Sequence, residues 1–122
     1  MTALIVGQDF AVMKTMRAHL AGYSVLFATD AASGVDVAQR RQPAVIFVCI
    51  RRGSGLALSL IRHIRRQAPV ALVIAVMSKP RSSAWPRVEL LGADGVFGLS
   101  EGFEVFDQLV AVFTPYLQAQ HG

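Results

Sequence analysis

Three uninterrupted apolar runs limit what this chain can fold into: Ala3-Leu4-Ile5-Val6, Ala44-Val45-Ile46-Phe47-Val48, and the eight residues 70–77. A strand with one wet face alternates apolar and polar side chains. A run that is apolar at every position belongs to a strand covered on both sides. Helices must therefore lie on both faces of any sheet these runs build, and the segments between them have helical spacing.

Asp9 precedes Phe10, Met13, Met16, Arg17 and Leu20, which places it to cap a first helix that Gly22 stops. A second strand is expected over 23–28. Thr29-Asp30 with Ser33-Gly34 then turns into a helix ending at Arg41-Gln42, before Pro43. The third strand, 44–49, leads through the loop 50–54 to a helix over 55–66, with Leu56, Leu58, Leu60, Ile61 and Ile64 on its buried side. Pro69 breaks the chain ahead of a fourth strand over 70–77. Ser83 and Pro86 open a short fourth helix that ends at Leu91-Gly92. A fifth strand over 94–99 precedes a last helix carrying Phe103, Phe106, Val110, Phe113 and Leu117, with 118–122 as a frayed tail or the start of a linker. Strands alternating with helices imply right-handed crossovers. The expected architecture is a single α/β domain over 1–122, a doubly wound five-stranded parallel sheet.

With 53% apolar and 16% charged residues, the chain has the composition of a folded globule. Its apolar runs are far shorter than the roughly 18 residues of a membrane span, and no cleavable leader is expected before the first strand. Cytoplasmic localisation is the expectation, and the lone Cys49 fits a reducing compartment. The net charge of +4 raises the question of nucleic acid. Yet Arg40, Arg41, Arg62, Arg65 and Arg66 sit at helix ends, where the dipole favours cations, and no aromatic-interleaved basic stripe accompanies them. Direct nucleic-acid binding is not expected.

Ligands of such sheets bind beyond the carboxyl ends of the strands. Here those ends carry Gly7-Gln8-Asp9, Cys49-Ile50-Arg51-Arg52 and Ser78-Lys79-Pro80-Arg81, one carboxylate against four cations. That balance disfavours a metal ion, and neither metal nor cofactor is expected. Arg51, Arg52, Lys79 and Arg81 are candidates for an anion site, for a phosphate, a cyclic dinucleotide or an acidic partner, because arginine forks bind phosphate bidentately. Gly53-Ser54-Gly55 would let the backbone approach such a ligand, although the Gly-Lys-Ser/Thr ending of a phosphate loop is missing. Gly7-Gln8-Asp9-Phe10 also lacks a flavin-phosphate cradle. The arginines beside Cys49 would favour a reactive thiolate, but no His is near it in sequence, and a small buried hydrophobe is the commoner role. No enzymatic activity is expected.

The order of these landmarks resembles a bacterial response-regulator receiver domain over essentially the whole chain. Leu4-Ile5-Val6 precedes the slot of an acidic pair, and Gly22-Tyr23-Ser24-Val25 is similar to the family's approach to its second strand. Ala32 and Gly34 match the turn before the second helix, and Gly55-Leu56-Ala57-Leu58 the start of the third, with Ile64-Arg65 near its end. Gly92-Ala93-Asp94 is similar to the family's Gly-Ala signature. The resemblance implies strand order 2-1-3-4-5. It puts Cys49 at the phosphoacceptor position, six residues after Pro43, and Gly7 and Gln8 at the acidic pair. Met77 or Ser78 falls at the switch position and Leu99 at the lysine, while the loop after Cys49 is about two residues short. The implied protein is a pseudo-receiver of a two-component-type pathway, working by dimerisation or docking rather than phosphorylation. Its implied partner face comprises the fourth helix, fifth strand and last helix, with Trp85, Arg87, Leu99 and Phe103 as candidates. The alternative is a sensor of an anionic (cyclic di)nucleotide at the arginine-rich edge.

Overall fold

The apolar runs become strands that divide their side chains between two cores. In the computed structural model residues 1–50, 55–79 and 85–121 are described, the side chains of 55–58, 85, 86 and 121 excepted. The elements are β1 (Thr2–Val6), α1 (Phe10–Ala18), β2 (Ser24–Ala28), α2 (Ala31–Arg41), β3 (Val45–Cys49), α3 (Gly55–Gln67), β4 (Leu72–Met77), α4 (Trp85–Leu90), β5 (Gly95–Gly98) and α5 (Phe103–His121). A 3-10 turn, Leu99–Glu101, joins β5 to α5. The strands form one parallel sheet of order β2-β1-β3-β4-β5, as expected.

Successive strand residues point to opposite faces. Leu4, Val6, Ile46, Val48, Val73 and Ala75 pack with Ala38 of α2, Ile61 and Ile64 of α3 and Val88 of α4. Ala3, Ile5, Val45, Phe47, Ile74 and Val76 pack with Met13 and Met16 of α1 and Phe106, Phe113 and Leu117 of α5. Phe47 lies 5.5 Å from Phe106, and Phe97 lies 5.2 Å from the same ring. Each such buried ring contributes roughly 1.5–3 kcal/mol.

The structure corrects several boundaries. Helix α1 ends at Ala18 with His19 as its cap, and Leu20 is buried from the turn that follows. Asp30 caps α2 by accepting the Ser33 N–H at 2.7 Å, so Ser33 and Gly34 lie inside the helix rather than in the turn. That bond also holds the Asp30 carboxyl below the usual carboxylate range. Strand β4 begins at Leu72 and leaves Val70 70% exposed. Strand β5 stops at Gly98, where the Glu101 carboxylate accepts the Gly98 N–H at 2.8 Å and turns the chain. The last helix runs through His121 instead of fraying after 117. Leu117 anchors it in the core, and Gln120 Nε2 donates to Tyr116 Oη at 2.8 Å.

Arg65 does more than meet a helix dipole. Its guanidinium donates to the carbonyls of Gly92 (2.9 Å), Pro69 (3.1 Å) and Ala71 (2.8 Å) and to the Asp94 carboxylate (2.5 Å). Asp94 in turn accepts the Val73 N–H at 2.8 Å. Gly92 is required here: its φ is +109°, and a Cβ would stand 2.8 Å from Arg65 Cγ. One side chain thus fastens the end of α3 to the starts of β4 and β5, and explains why residues 69–71 turn instead of extending the strand.

Candidate functional site

A cleft of about 640 Å³ opens at the carboxyl edge of the sheet, lined by Gln8, Asp9, Phe10, Val12, Cys49, Ile50, Val76, Met77, Ser78 and Leu99. Its floor is fixed by backbone bonds. The Gly7 N–H donates to Ala28 O (3.0 Å), Ile50 N–H to Val76 O (2.8 Å) and Ser100 N–H to Ser78 O (2.9 Å). Gly7 itself is buried beneath the cleft. A Cβ there would meet Cys49 Cβ at 3.0 Å, Cys49 Sγ at 3.3 Å and Met13 Sδ at 3.4 Å.

Among the described lining residues the cleft has soft sulfur, two neutral polar side chains and a single carboxylate. Burial, helped by the charge of Asp9, pushes the Cys49 thiol up to about 12, so it carries its proton at neutral pH. Asp9 is the one carboxylate among the described lining residues, and its Oδ1 accepts the Val12 N–H at 3.3 Å as the cap of α1. Phe10, 55% exposed at the rim, meets Phe27 edge-on at 5.6 Å and lies 5.8 Å below Lys14 Nζ. Phe10 opens the helical spacing of α1, and that spacing alone gave no signal of its exposure.

The fold therefore gathers Gln8, Cys49, Met77, Ser78 and Leu99 around one space, with Gly7 under it. Lys79 is exposed in the bend that follows Ser78 and is not among the described lining residues. Arg51, Arg52 and Arg81 lie outside the described residues, so the meeting of the four cations does too. Of the candidates for a partner face, Arg87 is exposed on α4, and Trp85 opens that helix with its side chain outside the description. Leu99 belongs to the cleft. Phe103 is half-buried, its ring stacked on His19 at 4.7 Å and 6.2 Å from Phe97 of β5, and His19 is held to α5 by a 2.7 Å bond to Asp107. Exposed apolar side chains lie elsewhere: Leu90 on α4 (85%) and Val112 (74%) and Tyr116 (55%) on α5. Val105, Leu109, Val112 and Tyr116 recur at four, three and four residues, so they share the flank of α5 opposite Asp107 and Thr114, which bond to His19 and Tyr23. That stripe was visible in the sequence, hidden among the core phenylalanines.

No family profile matches the chain, and no curated protein matches it either. Solved structures do. A response regulator protein from Burkholderia pseudomallei, with a phosphorylated aspartic acid, calcium ion and citrate, is 21% identical with a TM-score of 0.79; the match covers 99% of this chain and 72% of that one. A response regulator receiver domain protein (CheY-like) from Methanospirillum hungatei JF-1 is 19% identical, TM-score 0.81, with coverage of 98% and 95%. The signal receiver domain of a putative LuxO repressor protein from Vibrio parahaemolyticus is 11% identical, TM-score 0.83, with coverage of 98% and 94%. At these identities it is the receiver fold that is shared.

A receiver fold implies a divalent ion at this edge, and the described residues do not fit one. Magnesium and calcium take hard oxygen ligands, carboxylates foremost. Gly7 has no side chain, Gln8 offers an amide, and Cys49 a protonated soft sulfur. Among the described residues no three His, Cys, Asp or Glu side chains converge to hold a metal. Nor is any described helix long and apolar enough to cross a membrane.

Proposed function

We propose that this chain is a pseudo-receiver: a cytoplasmic, bacterial signalling module, one receiver-like unit over 1–122, that works by protein-protein contact without phosphorylation. The observation that carries this reading is the Gly7–Cys49 contact at the head of the cleft. Where a receiver needs an acidic pair and a phosphoacceptor, this chain has a glycine, an amide and a thiol, and a Cβ at Gly7 would already press on Cys49 at 3.0 Å. On this reading Cys49 stands at the phosphoacceptor position, Gly7 and Gln8 at the acidic pair, Met77 and Ser78 at the switch, and Leu99 at the lysine. The module does no chemistry of its own. Its equilibrium between conformations is set by whatever binds one of them better.

The contact face we assign to α4, β5 and α5. Strand β5 is an edge of the sheet, and Leu90, Val112 and Tyr116 supply exposed apolar area of the kind that centres an interface. The test is sedimentation velocity of the intact chain with and without acetyl phosphate and magnesium. The same association state is expected in both, and a shift on adding acetyl phosphate counts against the proposal. The alternative, an anionic nucleotide in the cleft, draws support from a volume within the range of ligand pockets. The described lining weighs against it, with a carboxylate, Asp9, and no cation.

A further inference from the structure

Charge is distributed along this chain in blocks. Residues 37–88 contain ten Lys and Arg and no Asp or Glu, whereas residues 89–122 contain five acids and no Lys or Arg. The fold turns part of that asymmetry into a surface. On α3, Ile61, Ile64 and Ala68, just past its end, face the core, and Arg62, His63 and Arg66 are exposed on the other side. Gln42 Nε2 donates to the Gln67 carbonyl at 3.1 Å, which ties the end of α2 to the end of α3 and brings the exposed Arg41 to the same place. The neighbouring cations are committed: Arg40 to Asp36 at 2.6 Å, and Arg65 to its four acceptors.

The helix dipole accounts for Arg41 and Arg66, in the last turns of their helices. It does not account for Arg62 and His63 further back, nor for a 13-residue helix with no carboxylate. Arg62 and Arg66 stand one turn apart, where like charges weaken a helix and an opposite charge would strengthen it. Solvated helix faces ordinarily mix both signs. A face of one sign focuses a field that attracts the opposite charge.

We propose that the outer face of α2 and α3 is a second docking surface, distinct from the α4-β5-α5 face, and that its partner is an acidic protein segment with carboxylates about one helical turn apart. Arginine forks grip carboxylates bidentately, and the Arg62–Arg66 spacing matches such a pair. A nucleic acid fits less well. Neither α2 nor α3 carries a Phe, Tyr or Trp on which a base could stack. Three arginines and a histidine fall short of the roughly 6–10 phosphate contacts of tight backbone binding.

The experiment is fluorescence anisotropy of a labelled Glu-rich helical peptide titrated with the full chain at low salt, with a DNA duplex of equal charge as the competing probe. The Arg62→Glu/Arg66→Glu variant is expected to bind the peptide about tenfold or more weakly, and the milder Arg62→Gln/Arg66→Gln variant about threefold or more weakly. Lys14→Glu/Arg17→Glu, the same change in net charge made on α1, is expected to stay within about twofold of the unmodified chain. Circular dichroism confirms that each variant is folded, and the glutamine variant decides the matter if the glutamate variant is not. The proposal is overturned if the α1 variant loses as much as the α3 variant, if the glutamine variant binds like the unmodified chain, or if the duplex binds more tightly than the peptide.

Discussion

A Cβ on Gly7 would stand 3.0 Å from the Cβ of Cys49, so the ends of β1 and β3 close on each other, and a side chain at position 7 requires Cys49 to give way by a few tenths of an ångström. The two residues are a matched pair: the thiol occupies part of the space a residue at position 7 would fill. Gly7→Ala is therefore expected to lower stability by about 1–3 kcal/mol, the usual cost of overpacking a tight site. Urea denaturation measures it. A variant as stable as the parent would mean that the strand ends are looser than the contact implies.

Cys49 should be slow to react. With its thiol pushed up to about 12, the thiolate at pH 8 is on the order of one molecule in ten thousand. Iodoacetamide labelling of the native chain should run at least about a thousandfold slower than labelling in urea. The folded value lies above the ordinary 9.0, so the proton is held more tightly in the folded state. Its contribution to stability is fully present below pH 9 and is lost as pH rises through 12. Prompt alkylation of native protein at neutral pH would contradict this.

Arg65→Ala is expected to cost roughly 2–4 kcal/mol, because Asp94 and three carbonyls lose a donor together. Arg65→Lys should recover only part, since one ammonium cannot reach acceptors spread across Pro69, Ala71, Gly92 and Asp94. Thermal unfolding of both variants distinguishes this clasp from an ordinary helix-end cation, for which both changes would be nearly silent.

On the proposed α4-β5-α5 face, Leu90→Glu and Val112→Glu should leave stability within about 0.5 kcal/mol, as exposed positions do. They should nonetheless weaken self-association or partner capture by tenfold or more, read by sedimentation. Association unchanged by both substitutions would remove this face.

The sheet was legible because its central strands are built on uninterrupted apolar runs, and the strand order followed from the resemblance. The cleft was legible as a set of positions, since Cys49 ends a strand and Gln8, Ser78 and Leu99 each follow one. What the sequence concealed were long-range pairings. His19 with Asp107 and Tyr23 with Thr114, 88 and 91 residues apart, tie α1 and the turn after it to α5, and the Phe103 ring stacks on His19 while also packing against Phe97 of β5. Burial raises the Tyr23 hydroxyl, which the Thr114 bond partly offsets. No local pattern marks such partners. Val70 misled for a similar reason: its apolar character suggested strand, but Arg65 takes the carbonyls on either side of it.

The most direct measurement is an amide NMR titration of the intact chain with magnesium and beryllofluoride, followed by intact-mass analysis after acetyl phosphate. The interlocked, carboxylate-poor strand tips predict no shifts at Gln8, Cys49 or Ser78 beyond those of a salt control, and no phosphate adduct. Saturable shifts clustered at those three residues, or a phosphorylated side chain, would contradict the account.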